Sequence, residues 1–219
     1  YELGLAYAKE VKKPIVIALT KGRPLQQLIN LLARLDIRSE YDLSQSRKLV
    51  FPTNDRHVQL MVLRGMDVAT YVQHGIADVG MLGKDVLLEY GGDGFYEPID
   101  LDIVKCRIVV AGLVEEQPLP RRIKVATKFV EVTKRFYAQK GVQADIIKLS
   151  GAMELAPLMG LAHRIVDIVE TGDTLRANGL EEKELVTEVS ARLIVNKGSL
   201  KTKYRDVQDI IQRLAELCS

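Results

Sequence analysis

Tryptophan is absent from this 219-residue chain, aromatic residues make up only 5% of it, and there are just 2 cysteines and 3 histidines. Cys106 and Cys218 lie far apart with no CxxC or Cys/His spacing, so neither a disulfide framework nor a structural zinc site is indicated. Both read as reduced thiols used mostly for packing, which points to a cytoplasmic chain. His57, His74 and His163 fall on different expected elements, without metal-ligand spacing. An excess of one charge is also lacking. With 31 Lys+Arg against 29 Asp+Glu the net charge is +2, so neither nucleic acid nor an anionic membrane is the default partner. Any basic site must be local. No apolar run approaches the roughly 18 residues of a membrane span. The chain has no P-loop motif, no Ser/His/Asp elbow and no internal repeat.

What is present is alternation. From Pro14 onward, short Val- and Ile-rich runs alternate with segments of helical period, the arrangement of βα units, and 47% of the residues are apolar. The expected fold class is α/β: two lobes of mainly parallel sheet with flanking helices and a cleft between them. The first unit is a strand at Pro14–Thr20, a Lys21-Gly22-Arg23 turn and a helix opened by Pro24, whose missing N–H suits a first helical turn. Strands follow at Lys48–Pro52 and Val58–Leu63. Asp67 then reads as the N-cap of a helix with Val68, Tyr71 and Val72 inside, ending at Gly75. A strand at Ala77–Leu82, a helix from Gly83 through Glu89 and a Gly91–Gly94 loop close this region. The second region runs through strands at Arg107–Leu113, Ile123–Thr127, Ala144–Leu149 and Arg164–Val169, with helices at Phe129–Lys140 and Met153–Met159. Val186–Val195 reads as one long strand and Lys201–Leu217 as a terminal amphipathic helix.

Three constellations could carry chemistry. The strand ending at Val169 is followed by Glu170-Thr171-Gly172-Asp173-Thr174-Leu175. A turn of this kind presents backbone N–H groups, the Thr171 and Thr174 hydroxyls and a helix start to one point, which suits a phosphate monoester. Asp167 and Glu170 beside it could hold the vicinal hydroxyls of a sugar or a magnesium ion. The plain alternative is an αβ connection with capping residues. Lys21 and Arg23 stand at the carboxyl end of the first strand, where open α/β sheets bind ligands, and Arg47 could reach the same cleft. Solvated surface is the alternative for each. Asp67 to Asp85 forms a tight, glycine-punctuated stretch that is either a binding wall or a set of element caps.

The residues that carry a family resemblance are Glu154, Gly160, Ala162, Ile165, Asp167 and Thr171-Gly-Asp-Thr-Leu175. Further blocks stand in order at Ala18-Leu-Thr-Lys-Gly-Arg23, Ser46-Arg-Lys-Leu-Val-Phe-Pro52, Arg64–Asp67, Tyr71-Val72, Gly75, Ala77-Asp78, Gly80 and Gly83-Lys-Asp85. Together they resemble ATP phosphoribosyltransferase over nearly the whole chain. The resemblance implies a fold similar to type II periplasmic binding proteins, with residues 14–104 and 196–219 in lobe I and 105–195 in lobe II. It also implies transfer of the 5-phosphoribosyl group from phosphoribosyl pyrophosphate to N1 of ATP, with Mg2+, as the first step of histidine biosynthesis. By matching position, Asp167, Glu170, Thr171, Gly172, Asp173, Thr174 and Leu175 would hold the phosphoribosyl group. Lys21, Gly22, Arg23, Arg47, Asp67 and Tyr71 would form the ATP and pyrophosphate side, with Arg23 and Arg47 catalytic through the leaving group. His163-Arg164 departs from the family, which often has an acidic residue after Ala162. Because the chain ends at a helix, it looks like the short form, expected as a homodimer in a hetero-octamer with a regulatory subunit similar to histidyl-tRNA synthetase. A two-lobed solute-binding or sensing module is the competing class, since fold does not fix function.

Overall fold

The computed structural model describes residues 13–115 and 117–218. Its first sheet grows around β1 (Ile15–Thr20), whose continuous apolar run is buried on both faces, as an interior parallel strand requires. β1 pairs in parallel with β3 (Val58–Leu63) on one side and β4 (Val79–Gly83) on the other. Antiparallel strands extend this parallel core: β2 (Val50–Pro52) beyond β3, then β11 (Ala191–Asn196) and β5 (Phe95–Asp100) beyond β4. The second sheet has the same plan. Its parallel core is β9 (Arg164–Val169), β7 (Arg122–Thr127) and β8 (Gln143–Lys148), and antiparallel β6 (Cys106–Leu113) and β10 (Leu180–Val189) complete it in the order β10-β6-β9-β7-β8.

Helices cover the sheets as their patterns dictate. In α1 (Leu25–Arg34), opened by Pro24 at φ −66°, the stripe Leu25, Leu28, Leu31 and Leu32 is buried. Val68 and Val72 of α2 (Gly65–Gln73) lie against Gly80 of β4, where a Cβ would stand 2.8 Å from both valines, so only glycine lets helix and strand approach this closely. α3 (Lys84–Tyr90) ends at Gly91 in the left-handed region, φ +66°. In the second lobe α4 (Val130–Gln139), α5 (Leu155–Leu158) and α6 (Asp173–Ala177) follow β7, β8 and β9. The chain then returns, and α7 (Ser199–Thr202) and α8 (Tyr204–Cys218) pack on the first sheet, with Val207, Ile210 and Leu214 in its core.

Several expectations change. Arg64, not Asp67, occupies the N-cap of α2; Asp67 sits in its exposed first turn, and Tyr71 is 38% exposed rather than on the inner face. The run Val186–Val195 is not one strand. It breaks at Ser190, with β10 in the second sheet and β11 in the first, so residues 191–195 join the first sheet instead of lobe II. Two strands carry no expectation from the sequence: β5, whose residues are mostly exposed at a sheet edge, and the charged early half of β10. The terminal helix starts at Tyr204, after the separate turn α7. Glu116, in the loop expected over Glu115–Pro120, lies outside the described residues.

One buried carboxylate ties the returning chain to the first sheet. Asp78, 3% exposed, accepts hydrogen bonds from Val16 N–H at 2.9 Å, the Ser199 hydroxyl at 2.6 Å and Lys203 Nζ at 2.8 Å. Of the two readings left open for Asp78, capping and function, the structure gives it this structural role. Replacing it with alanine strands three donors and a partly buried ammonium, so Asp78→Ala should cost about 2–3 kcal/mol. Urea unfolding checks this: the midpoint should fall while the slope stays unchanged.

Candidate active site

The site starts from the carboxyl end of β9. Asp167 leaves the strand half-buried, its Oδ1 accepting from Ile168 N–H at 2.8 Å and lying 3.2 Å from Lys128 Nζ. Glu170 and Thr171 then turn the chain, and Gly172 carries it at φ +82° into α6. That dihedral strains any residue with a Cβ, and a Cβ here would also stand 3.0 Å from Arg176 Nη1. Leu175, 4% exposed, anchors α6 in the second core, while Thr171, Asp173 and Thr174 stay at the surface. The Thr171 hydroxyl donates to Asp173 Oδ2 at 2.7 Å and accepts from Asp173 N–H at 3.3 Å. That hydroxyl and the Arg176 guanidinium hold the Asp173 carboxyl below its ordinary value. The first-turn N–H groups of a helix have no intrahelical acceptor, so this turn offers donors to an anion.

The opposite wall belongs to the other lobe. Gly22, at φ +98°, turns the chain after β1 and projects Arg23 across to an ion pair with Glu170. A cavity of about 260 Å³ results, lined by Arg23, Glu154 and the unbroken run Asp167–Leu175. A second cavity of about 210 Å³ shares Arg23, Ile168 and Glu170 with it and runs between the lobes past Thr20, Asp85 and Cys106. Burial pushes the Asp85 carboxyl up, and burial with Asp85 nearby pushes the Cys106 thiol up to about 11. The first cavity thus sets Arg23 among the carboxylates of Glu154, Asp167, Glu170 and Asp173, and the second balances Arg23 and Lys105 against Asp85 and Glu170.

All the residues expected to hold a phosphoribosyl group line one cavity, and Arg23 meets them there. Lys21 and Gly22 share the Arg23 turn. Arg47 is exposed on the loop before β2, and Asp67 and Tyr71 are exposed on α2; neither cavity is lined by any of these three. Sequence reasoning passed over Lys128, read Cys106 as a packing thiol, and took Asp85 only as the end of the glycine-punctuated stretch. Lys128 directly follows β7, the neighbour of β9, so the rule that ligands gather at carboxyl strand ends could have found it. Among the described residues no group of three His, Cys, Asp or Glu could hold a metal ion. No described helix is long and apolar enough to cross a membrane.

Two α/β lobes that face each other across a cleft, with an anion-suited turn on one and an arginine on the other, define a two-lobed binding or transfer protein. The fold is shared at a TM-score of 0.59 and 13% identity with the periplasmic aliphatic sulphonate binding protein of Escherichia coli, which covers 93% of this chain and 68% of that one. Residues 64–216 match the family model of ATP phosphoribosyltransferase. An ATP phosphoribosyltransferase of Hahella chejuensis is 58% identical over 202 residues, 92% of this chain and 96% of that one, and one of Marinobacter nauticus is 55% identical over 201 residues, 92% and 94% respectively. The solved ATP phosphoribosyl transferase (HisG:HisZ) complex from Thermotoga maritima matches at a TM-score of 0.80 and 33% identity, covering 93% of this chain and 98% of that one. The chain belongs to the ATP phosphoribosyltransferase family, the transferases that open histidine biosynthesis. Enzymes of this family use a divalent metal ion.

Gly172→Val should abolish phosphoribosyl pyrophosphate binding in calorimetry, since a branched side chain is strained at φ +82° and meets Arg176. Normal affinity would refute the role of this turn. Iodoacetamide labelling of Cys106 should be slow at pH 8 and still be rising at pH 10, because only the thiolate reacts and burial holds this thiol at about 11.

Proposed function

We propose that the cleft joins C1 of the ribose of phosphoribosyl pyrophosphate to N1 of ATP, giving N1-(5-phosphoribosyl)-ATP and pyrophosphate. The observation that carries this reading is the single cavity formed by Asp167–Leu175 and closed by Arg23 from the other lobe. Its turn suits the 5-phosphate: Gly172 carries no side chain, and Thr171 and Thr174 bring their hydroxyls to the N-terminal turn of α6. Asp167 and Glu170, which line the same cavity, would take the ribose 2- and 3-hydroxyls. Phosphate and sugar recognition are thus continuous along the chain.

As the C1–O bond to pyrophosphate breaks, positive charge builds on the sugar and negative charge on the leaving group. The adenine N1 lone pair forms the new bond. Two needs follow: cations at the pyrophosphate and alignment of N1 with C1. Arg23 supplies the first, and Lys21 and Arg47 join it on the ATP and pyrophosphate side together with Gly22, Asp67 and Tyr71. Approach of the lobes supplies the second and excludes water. No strong general base is needed, because N1 of adenine carries no proton to remove. Asp167 and Glu170 offer oxygen donors of the kind Mg2+ prefers, one or two carboxylates completed by substrate phosphate oxygens. Magnesium bound there would neutralise the pyrophosphate.

We place the enzyme in the cytoplasm, as a homodimer that joins a regulatory subunit similar to histidyl-tRNA synthetase in a hetero-octamer. Support comes from the Thermotoga maritima relative, which is a HisG:HisZ complex. The test is to mix the purified chain with ATP, phosphoribosyl pyrophosphate and Mg2+ and follow the N1-adduct by absorbance and mass. Adduct is expected without any partner; none with or without one would return the cleft to the solute-binding class. In the same assay Arg47→Ala should lower kcat about 100-fold. An unchanged kcat would remove Arg47 from leaving-group stabilisation.

A further inference from the structure

The short helix α3 connects three places that catalysis must keep in register. Its first residue, Lys84, donates its backbone N–H to the Ser190 carbonyl at 2.9 Å, at the point where the chain crosses between the lobes. Its first turn, with Asp85 and Val86, lines the interlobe cavity together with Gly83 just before it. Its last turn is shared between the lobes: Leu87 and Tyr90 stay with the first-lobe core, while Leu88 and Glu89 reach into the second. Leu88 packs into the core of the second lobe around Ile108, Val125 and Val132, and its carbonyl accepts from Arg135 of α4. Glu89 accepts from Glu131 N–H through Oε1 at 3.2 Å and Oε2 at 2.9 Å, and from Val132 N–H through Oε2 at 3.1 Å.

The last contact has a chemical logic of its own. Phe129, the N-cap of α4, cannot cap the helix by its side chain, and the helix has no side-chain cap of its own. Two of the orphan first-turn donors are instead satisfied by a carboxylate from the other lobe, which also meets the positive end of the α4 dipole. A charged hydrogen bond of this kind holds geometry better than a neutral one.

We infer that Glu89 is a positioning residue for the transfer reaction: by capping α4 it braces α3 against the second lobe and fixes how closely the Arg23 wall approaches the Asp167–Leu175 cavity. The inference rests on the proposed function for its kinetic readout. Glu89 is not among the residues lining either cleft cavity and touches no part of the proposed phosphoribosyl turn. Its loss should therefore lower turnover much more than it weakens binding of phosphoribosyl pyrophosphate, whose 5-phosphate and ribose would rest on the second lobe alone, because misplacement by an ångström in a two-substrate reaction costs on the order of 10- to 100-fold in rate.

The experiment uses the full-length chain and compares the wild type with Glu89→Ala and Glu89→Gln in three measurements. These are kcat with ATP, phosphoribosyl pyrophosphate and Mg2+; the Kd of phosphoribosyl pyrophosphate by calorimetry; and the distribution of interatomic distances from small-angle X-ray scattering. Glu89→Ala should lower kcat about 10-fold or more with a clearly smaller change in Kd, and should broaden the scattering distribution. Glu89→Gln keeps an amide oxygen for one N–H and should recover most of the lost kcat. If Glu89→Ala fails to fold, the Gln variant decides: a modest fall in kcat at unchanged Kd supports the brace. Glu89→Ala with wild-type kcat, or with Kd weakened in step with kcat, would overturn it, as would scattering of that variant identical to wild type; should it not fold, Glu89→Gln with kcat indistinguishable from wild type would do so. Wild-type protein that makes no adduct would sink the proposed reaction, and the scattering comparison would still judge the brace.

Discussion

The cleft exists because the chain crosses between its sheets twice, and the two crossings are bonded to each other. Ala191 N–H donates to the Ile103 carbonyl at 2.9 Å, Leu101 N–H to the Ala191 carbonyl at 2.9 Å, and the Ser190 hydroxyl to Asp100 at 2.7 Å. Paired segments resist sliding and twisting far better than a single linker, so the motion left to the lobes is a hinge. Arg192 reinforces the crossing through Asp100 at 2.8 Å and Glu97 at 3.5 Å, and Lys84 Nζ reaches the same Glu97 at 2.7 Å. An arginine carried by one lobe and a turn carried by the other can then meet reproducibly.

At that meeting point the charges are already paired. Arg23 contacts Glu170, and Lys128 lies near Asp167. The Arg23–Glu170 pair is about half exposed or more on each side, the setting in which ion pairs contribute ~0–1 kcal/mol. A pair that weak is easily exchanged. On the reading proposed above, a polyanion with sugar hydroxyls would offer Arg23 a stronger partner and Glu170 a set of donors.

Much of this was legible in the sequence, and what was not has physical reasons. β9, its turn and α6 were legible because an apolar Val/Ile run meets a glycine and two threonines, an abrupt change of chemistry that marks a strand end. α1 was legible from Pro24 and its leucine stripe. β10 and β11 were not, because an apolar run reads the same whether it stays in one sheet or crosses to another, and the separation rests on Ser190 alone. The charged stretch Glu181–Glu184 hides the early half of β10, where the strand pairs with β6 through register shifts. Tyr71 sits one residue before the buried Val72, and at helical spacing that step turns it outward. Lys128, Asp85 and Cys106 come together only through the packing of one lobe on the other, which periodicity along a chain cannot register.

The double crossing also orders events during synthesis. The strands of the second sheet are contiguous in sequence, from Cys106 to Val189, so that lobe can be completed as soon as its last strand leaves the ribosome. The first sheet cannot. Its β4 and β5 are separated in space by β11, whose Leu193, Ile194 and Val195 are fully buried, and its core is closed by α8. The first sheet holds an open apolar seam until β11 and α8 arrive. Such long-range closure is slow, because the loop entropy of the whole second lobe must be lost before the pairing returns any stability.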